Sequence, residues 1–480
     1  MAARLRLGLS RGIALAALVF LSGCTVGPNY VRPRSELPPR FLEQGPALRL
    51  GGRTVGAQWW TGLGDPVLDR LVDEAFTGSP SLQIAADRII EAREELAGIS
   101  TEELPVAGAQ GAYARQHGSK NVPIGTPPGG LGPGVDSNLW LAGFDMSWEA
   151  DLFGGTRRAI ESANASASAA LADRQEAELS LVAELARDYV ELRTEQRRLA
   201  IAEQIRASRS VDLELVMVRF DSGLTGALDT ARARADLDDS EAQIPAIEAA
   251  VRAAIYRLGT LVGRPPETLL PLLIRPRPIP AVHSDVPVGL PSDLLERRPD
   301  IRAAERRIAA ANARIGMREA ELFPQFSLTG AAGLESLDGG NLLTGGSRYF
   351  AIGPSITWLV FDAGRIRDEV LAQRAQTGVA AATYREAVLL ALDEVETALV
   401  TYGRSQIKLN ALTREVAARQ QALTIAQRLY TAGIENFLSV LDAERTLYAS
   451  QMSLAAADQT STDSYLTLVK ALGGGWANSK

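Results

Sequence analysis

Two long stretches of this chain contain almost nothing that would stop a helix. From Thr156 to Val218 there is neither proline nor glycine, and from Arg365 to Tyr430 there is no proline and only Gly378 and Gly403. Both are rich in Ala, Leu, Glu, Arg and Gln, strong helix formers. At 1.5 Å of rise per residue, a run of about 65 residues makes a rod of roughly 95–100 Å. That is several times the mean helix of a globular protein. A compact domain has no room for two such rods. Their small side chains suit close packing along coiled-coil-like seams. Each run stops at a glycine turn, Phe220-Asp221-Ser222-Gly223 or Tyr430-Thr431-Ala432-Gly433. Glycine there suits a left-handed cap, after which a shorter helix returns.

The rods belong to a tandem duplication, the first pattern to seek in a chain of this length. Pro80 lies 25 residues before Pro105, and Pro299 lies 25 before Pro324. Trp148 lies 75 residues before Gly223, and Trp358 lies 75 before Gly433. Ile89 matches Ile308, Gly111 matches Gly330, Glu184 matches Glu394 and Phe220 matches Tyr430. The halves are read as 65–284 and 285–473, after an N-terminal segment 24–64 and before a tail 474–480. Each begins with a helix of about 24 residues, opened by one proline and closed before the next. A short strand, a loop and a second strand then precede the rod.

In the first half Trp140, Ala142, Phe144, Met146 and Trp148 alternate with Leu141, Gly143, Asp145, Ser147 and Glu149. In the second, Phe350, Ile352, Ile356, Trp358 and Val360 alternate with Ala351, Gly353, Ser355 and Thr357. One face is apolar and aromatic, the other small or polar. About ten residues is the length of a tilted transmembrane strand. The same alternation also fits a soluble sandwich strand packed on a core. If the apolar face meets lipid, four strands leave two open edges in hydrocarbon, so copies must combine until the sheet closes. Two chains supply eight strands and three supply twelve. Trp140, Trp148 and Trp358 are candidates for interfacial aromatic belts.

The N-terminus indicates the compartment. Arg4, Arg6 and Arg11 precede an apolar run from Ile13 to Leu21, then Leu21-Ser22-Gly23-Cys24. This pattern reads as a signal peptide over 1–23 and resembles a bacterial lipobox, with Cys24 lipidated. The apolar run is short for a membrane span. Thr25, rather than Asp, resembles the sorting signal for the outer membrane. Several acyl chains anchor stably where one does not.

Composition excludes other classes. The chain carries 50 Lys+Arg against 57 Asp+Glu, a net −7 that becomes −10 without the three leader arginines. No basic run or basic-aromatic patch suits nucleic acid. One cysteine and two distant histidines, His117 and His283, form no zinc or thiol centre. No Walker loop, G-x-S-x-G elbow or H-E-x-x-H helix occurs. The glycines from Gly129 to Gly134 read as a surface loop. Nothing here predicts an enzyme or a cofactor other than the covalent S-diacylglycerol and N-acyl lipid on Cys24.

Several motifs carry a family resemblance from Cys24 to about Gly473. They are Cys24-Thr25-Val26-Gly27-Pro28-Asn29-Tyr30 with Pro33, and Trp59-Trp60 with Asp65-Pro66. Gly289-Leu290-Pro291-Ser292-Asp293-Leu294-Leu295-Glu296-Arg297-Arg298-Pro299-Asp300 is the most specific. Phe361-Asp362-Ala363-Gly364-Arg365 and Val440-Leu441-Asp442-Ala443 complete the set. The chain resembles an outer-membrane factor of the TolC family, in its lipoprotein (NodT/OprM-like) branch. The resemblance implies a mainly α protomer with a transmembrane β portion. It also implies a homotrimer with a 12-stranded barrel continuous with a 12-helix periplasmic tunnel. The partners expected are outer-membrane lipid, a periplasmic membrane-fusion adaptor and an inner-membrane pump of the resistance-nodulation-division class. The function expected is a passive exit duct for drugs or other toxic solutes. Ducts for metal ions or type I secretion, and a non-conducting periplasmic spacer, are the alternatives.

The resemblance also assigns residues. Asp442 matches the acidic residue that rings the pore constriction, with Asp229 a weaker candidate for a second ring. Three carboxylates about 6 Å apart would repel by about 2–3 kcal/mol per pair at an effective dielectric near 20. Spacing alone favours reading Asp442 as a helix-surface residue pairing with Arg445, and it is the resemblance that turns the reading to a pore ring. Tyr430 matches a tip aromatic that holds the closed state. Relatives often place a basic residue next, where this chain has Thr431. Arg219, Phe220, Gly223 and Leu224 resemble the adaptor-contact turn, with Gly433 the counterpart of Gly223.

Overall fold

The computed structural model describes residues 25–43, 56, 58–121, 134–280 and 288–474. Cys24 and the leader before it, residues 129–133, His283 and residues 475–480 lie outside the described residues. Nine α-helices and four strands form among the described residues. In the first half these are α1 (Pro66–Gly78), α2 (Pro80–Ser100), β1 (Val106–His117), β2 (Asp136–Ala150), α3 (Gly155–Asp221) and α4 (Ala227–Leu261). The short helices α5 (Leu270–Leu273) and α6 (Leu294–Arg297) follow. Then come α7 (Pro299–Ala320), β3 (Gln325–Ser336), β4 (Arg348–Thr357), α8 (Arg365–Thr431) and α9 (Phe437–Ala471).

The duplication is visible in element lengths. α3 and α8 each contain 67 residues, and α4 and α9 each contain 35. Residue 155 starts one rod and residue 365 the other, an offset of 210 that also separates Ala227 from Phe437. Local chemistry sets the ends. Asp65 accepts from the Val67 N–H with Pro66 in the first turn of α1, Asp151 accepts from Arg157 N–H at 2.9 Å before α3, and Asn436 caps α9 through Ser439 N–H. Asp362 accepts from Gly364 and Ile366 N–H at 2.9 and 2.8 Å. Those bonds, the one to Ile366 foremost, hold its carboxyl below the usual range. The two leading helices are slightly shorter than expected, at 21 and 22 residues.

Both rods end in Schellman turns. Gly223 and Gly433 have φ of +71° and +70°, a region costly for any side chain. Leu224 N–H returns to Arg219 O and Gly223 N–H to Phe220 O, each at 2.9 Å. Ile434 N–H to Leu429 O and Gly433 N–H to Tyr430 O, both 3.0 Å, repeat the pattern.

The chain packs as two compact units, and neither is a repeat. One combines residues up to Pro33 with Ile90–Ala169 and Glu305–Thr383; the other combines Arg34–Ile89, Ala170–Ala304 and residues from Tyr384 onward.

The first unit holds one antiparallel sheet in the order β1-β2-β3-β4, so β2 and β3 join the two halves. Register places Tyr113, Trp140 and Ser336 in line, then Ala109, Phe144, Ala332 and Phe350. Residues directly opposite share a face. Tyr113, Phe144, Met146, Trp148, Leu328, Phe350, Ile352 and Ile356 therefore line one side; Gln110, Asp145, Glu149, Thr329 and Glu335 line the other. Among the described residues nothing covers the apolar side: Phe144 is 68 % and Phe350 84 % exposed. A soluble sandwich strand would have this face on a core, so the sandwich alternative fails. β4 ends at Thr357, earlier than the alternation to Val360 predicts. Trp358 lies just past the strand, its indole N–H donating to Leu322 O at 3.1 Å.

The second unit is built on helices. Leu68, Leu71 and Val72 of α1 are fully buried, as are Leu185, Tyr189 and Arg193 of α3. Arg193 donates to Arg275 O at 3.0 Å and to Gln196 Oε1 at 2.7 Å, holding the segment after α5. Such bonds are what a buried guanidinium requires. Arg298, at the entrance of α7, bonds Glu394 of α8 at 2.6 Å and Ala471 O of α9 at 3.1 Å. The motif ending Arg298-Pro299-Asp300 thus ties three helices together. No described helix is long and apolar enough to cross a membrane.

Candidate gate and docking tip

The glycine turns, where α3 meets α4 and α8 meets α9, gather most of the residues singled out above. Tyr430 is buried against Leu423, Val440 and Leu447. Its ring packs on Phe437 at 5.3 Å between centroids, and the Arg219 guanidinium lies 4.5 Å from its centroid. Arg219 also donates to the Tyr430 hydroxyl. Cation–π stacking plus a hydrogen bond makes this a specific clasp between α3 and α8. Thr431 returns its hydroxyl to backbone carbonyls of its own helix and forms no latch.

Phe220, the counterpart of Tyr430, is 43 % exposed and Leu224 75 % exposed. Arg219, grouped with them as a docking residue, directs its guanidinium onto Tyr430 within the chain. A cleft lined by Arg219, Leu224, Asp229, Tyr430, Phe437 and Leu438 opens beside them. Asp229 sits in the first turn of α4 and accepts from Thr225 Oγ1. Asp442 is exposed and pairs with Arg445 at 2.8 Å. Within one chain it therefore makes the helix-surface pair that its spacing allows.

One cluster escaped sequence reasoning. Asp212 of α3 and Glu444 of α9 are both buried, and Arg209 Nη1 lies 3.7 and 3.6 Å from them. Ser208 donates to Glu444 at 3.1 Å. Burial, then the Glu444 carboxylate, pushes Asp212 up to about 7, against the pull of Arg209. The only sequence signal was a charged residue at a helix position facing the seam.

The anchor end is equally ordered. Val26 N–H bonds Phe153 O at 3.0 Å, and buried Arg158 donates to Val26 O, Gly27 O and Asn29 Oδ1 at 3.1, 3.2 and 2.8 Å. Asn312 bonds Pro28 O, and Tyr30 donates to Glu305, itself held by Arg306. A Cβ on Gly27 would lie 2.4 Å from Gly316 Cα, so backbones touch there. Sequence reading found the Cys24–Tyr30 motif but not Arg158, its receptor.

The tryptophans flank the apolar face at both ends. Trp148 and Trp358 donate to Glu103 O and Leu322 O, which are themselves repeat-equivalent positions. Trp140, eight residues before Trp148 in β2, packs its ring on Tyr113 at a tilt of 41°, 4.4 Å between centroids. Eight residues of strand span about 26 Å, close to the apolar height of outer-membrane barrels.

The sequence profile of the outer membrane efflux protein family matches residues 71–264 and 290–474, most of the chain. The chain belongs to that family. This outer membrane efflux protein is 32 % identical to nodulation protein T of Rhizobium leguminosarum bv. trifolii, over 95 % of this chain and 96 % of that one. It is 30 % identical to the toluene efflux pump outer membrane protein TtgI of Pseudomonas putida, covering 98 % and 99 % of the two. Among solved structures, the outer-membrane channel OprN superposes with TM-score 0.85 at 34 % identity, over 94 % of this chain and all of that one. The open state of the Neisseria gonorrhoeae MtrE channel gives TM-score 0.79 at 28 % identity, covering 94 % and 98 %. This efflux protein is thus an outer-membrane channel component of a Gram-negative efflux system, its tunnel reaching into the periplasm.

Proposed function

We propose that three copies of this chain close into one duct. Each supplies four strands to a 12-stranded barrel and four long helices to a 12-helix tunnel. The observation that carries this reading is the four-stranded sheet with a bare apolar face and two unpaired edges. Unpaired backbone groups are intolerable in hydrocarbon, so the edges must meet other copies. Cys24 carries the acyl anchor, supported by the Thr25–Tyr30 strap that docks beside the start of α3. A periplasmic adaptor engages the tip through Phe220, Leu224 and the Gly223 and Gly433 turns, and couples the duct to a resistance-nodulation-division pump. Asp442 residues from the copies face the pore and narrow it to solutes until the adaptor engages.

The cargo is small toxic solutes, including organic solvents and antibiotics. Relatives named for toluene efflux and for antibiotic efflux match this chain over almost their full length. A passive duct leaves selection to the pump.

Reconstitution in planar bilayers tests the duct. Purified protein should give discrete conductance that rises in Asp442→Ala. Absence of conductance in both would overturn the duct, and unchanged conductance in the variant would overturn the gate role. Labelling with palmitate should be lost in Cys24→Ser.

A further inference from the structure

The two hairpins of long helices, α3–α4 and α8–α9, are images of each other, yet only one is tied along its length. In α8–α9 the Tyr430 and Phe437 rings meet at 5.3 Å, Glu415 accepts from Ser450 at 3.0 Å and Gln406 donates to Ser461 at 2.6 Å. At the offset of 210 residues the same pairs in α3–α4 are Phe220 with Ala227, Ile205 with Ser240 and Gln196 with Val251. None of these can stack or join by side-chain hydrogen bonds. The ties that α4 does make to α3 lie at its far end, where Arg257 reaches Asp188 and Glu191 at 3.6 and 2.6 Å. Toward the tip, Thr225, Thr230, Ser240 and Gln243 bond within α4 and its turn. Among the described residues no ion pair or side-chain hydrogen bond joins Ala227–Ile244 to α3.

Pro245 stands inside α4 where the ties stop. Proline offers no N–H to the carbonyl four residues back, here Glu241, and its ring crowds that carbonyl. The image of Pro245 in α9 is Ala455, which is buried. Packing divides at the same place. Before Pro245 the buried residues of α4 are Ala233 and Ser240; beyond it they include Val251, Ala254, Ile255 and Leu258. The entry of α4 is loose as well: Gly226 gives it no side-chain cap, whereas Asn436 caps α9. Asp236, after burial and Glu444, adds to what pushes Asp212 of α3 up, so its effect across that seam is repulsive.

We propose that Ala227–Ile244 is a hinged arm that pivots at Pro245, and that its swing away from α3 widens the tip while the Arg219–Tyr430 clasp keeps α3 on α8. Helices bend at such a residue, and the side with fewer buried contacts is the side that moves. The hinge stands on the single chain; the widening rests on the duct proposed above.

Hydrogen exchange on the full acylated chain in detergent tests the hinge. Ala227–Ile244 should exchange about tenfold or more faster than its image Phe437–Leu454, while Val251–Leu258 matches Ser461–Leu468. Pro245→Ala should slow the arm about tenfold and leave Val251–Leu258 unchanged. Equal rates in the two images would overturn the arm, and a fast arm untouched by Pro245→Ala would overturn the pivot. A second variant restores the missing ties and leaves the proline in place. Ile205→Glu offers Ser240 the acceptor that Ser450 has in Glu415, and Gly226→Asn offers α4 the cap that Asn436 gives α9; together they should slow the arm too. In planar bilayers Pro245→Ala and the double variant should each lower the open fraction about twofold or more, a modest shift of a two-state balance. A conducting wild type with both variants unchanged would overturn the arm as the moving part. A silent wild type would overturn the duct, and the exchange rates would still decide the hinge.

Discussion

Asp212 on α3 and Glu444 on α9 face each other across a helix seam at 9 % and 1 % exposure, with a single guanidinium, Arg209, between them. Two carboxylates and one cation in a covered site favour keeping one proton. Asp212 carries that tendency, its carboxyl displaced from 3.8 to about 7. The folded chain therefore holds a proton that an unfolded chain releases near pH 4. The resulting stabilisation is complete below about pH 4 and is lost as pH rises through 7. Thermal melts of the detergent-solubilised protein should show the helical transition falling between about pH 4 and pH 7 and levelling off above. Asp212→Asn should flatten that slope, since the amide keeps shape and removes the titration. An unchanged slope in the variant would show that other groups set it.

The clasp at the tip yields a second expectation. Tyr430→Ala removes a buried ring and strands Arg219, a loss of about 3–5 kcal/mol by analogy with aromatic core truncations. Because the lost contacts join α3, α8 and α9 at their ends, the effect should be local. Hydrogen exchange in the two turns should accelerate, while the transition of the remaining helices barely moves. Tyr430→Phe keeps the ring under the guanidinium and should retain most of the protection.

Arg158 should prove the hinge-pin of the N-terminal strap. Truncation to Ala leaves two carbonyls and the Asn29 side chain without their donor. Charged hydrogen bonds of this kind are worth about 1.5–3 kcal/mol each before compensation by water. Limited proteolysis should then cut within 25–33 in Arg158→Ala and not in wild type. Equal resistance would mean that Tyr30 and Asn312 suffice.

The two faces of the sheet should respond oppositely to charge. Ile352→Arg places a guanidinium on the apolar face, at a cost of about 2–4 kcal/mol near the bilayer midplane. Thr329→Arg points to the polar face and should be tolerated. The measurement is the temperature at which the barrel loses its resistance to denaturing detergent. A similar drop for both would contradict the assignment of faces.

Much of this architecture was legible in the chain because it rests on local chemistry. Helix propensity and the absence of breakers over Thr156–Val218 and Arg365–Tyr430 predicted both rods, and Gly223 and Gly433 end them because only glycine enters that φ region freely. Alternation in β2 and β4 marked an apolar and a polar face, and repeated spacings exposed the duplication. What the sequence left open depends on which surfaces meet. Alternation does not tell lipid from core, and only the sheet with its bare apolar face decided that. That Asp65-Pro66 opens a buried helix α1, and that the segments around α5 and α6 turn helical, went unread because these helices are short and their burial comes from distant partners. Ser208 and Glu444 touch across 236 residues, and Arg158 reaches Val26 across 132. A buried charge looks like any surface charge until its neighbours are known, since desolvation belongs to the packed seam and not to the residue. Sequence therefore determined the lengths, the turns and the repeat; tertiary packing chose the polar partners, because that choice is settled by contacts between segments far apart along the chain.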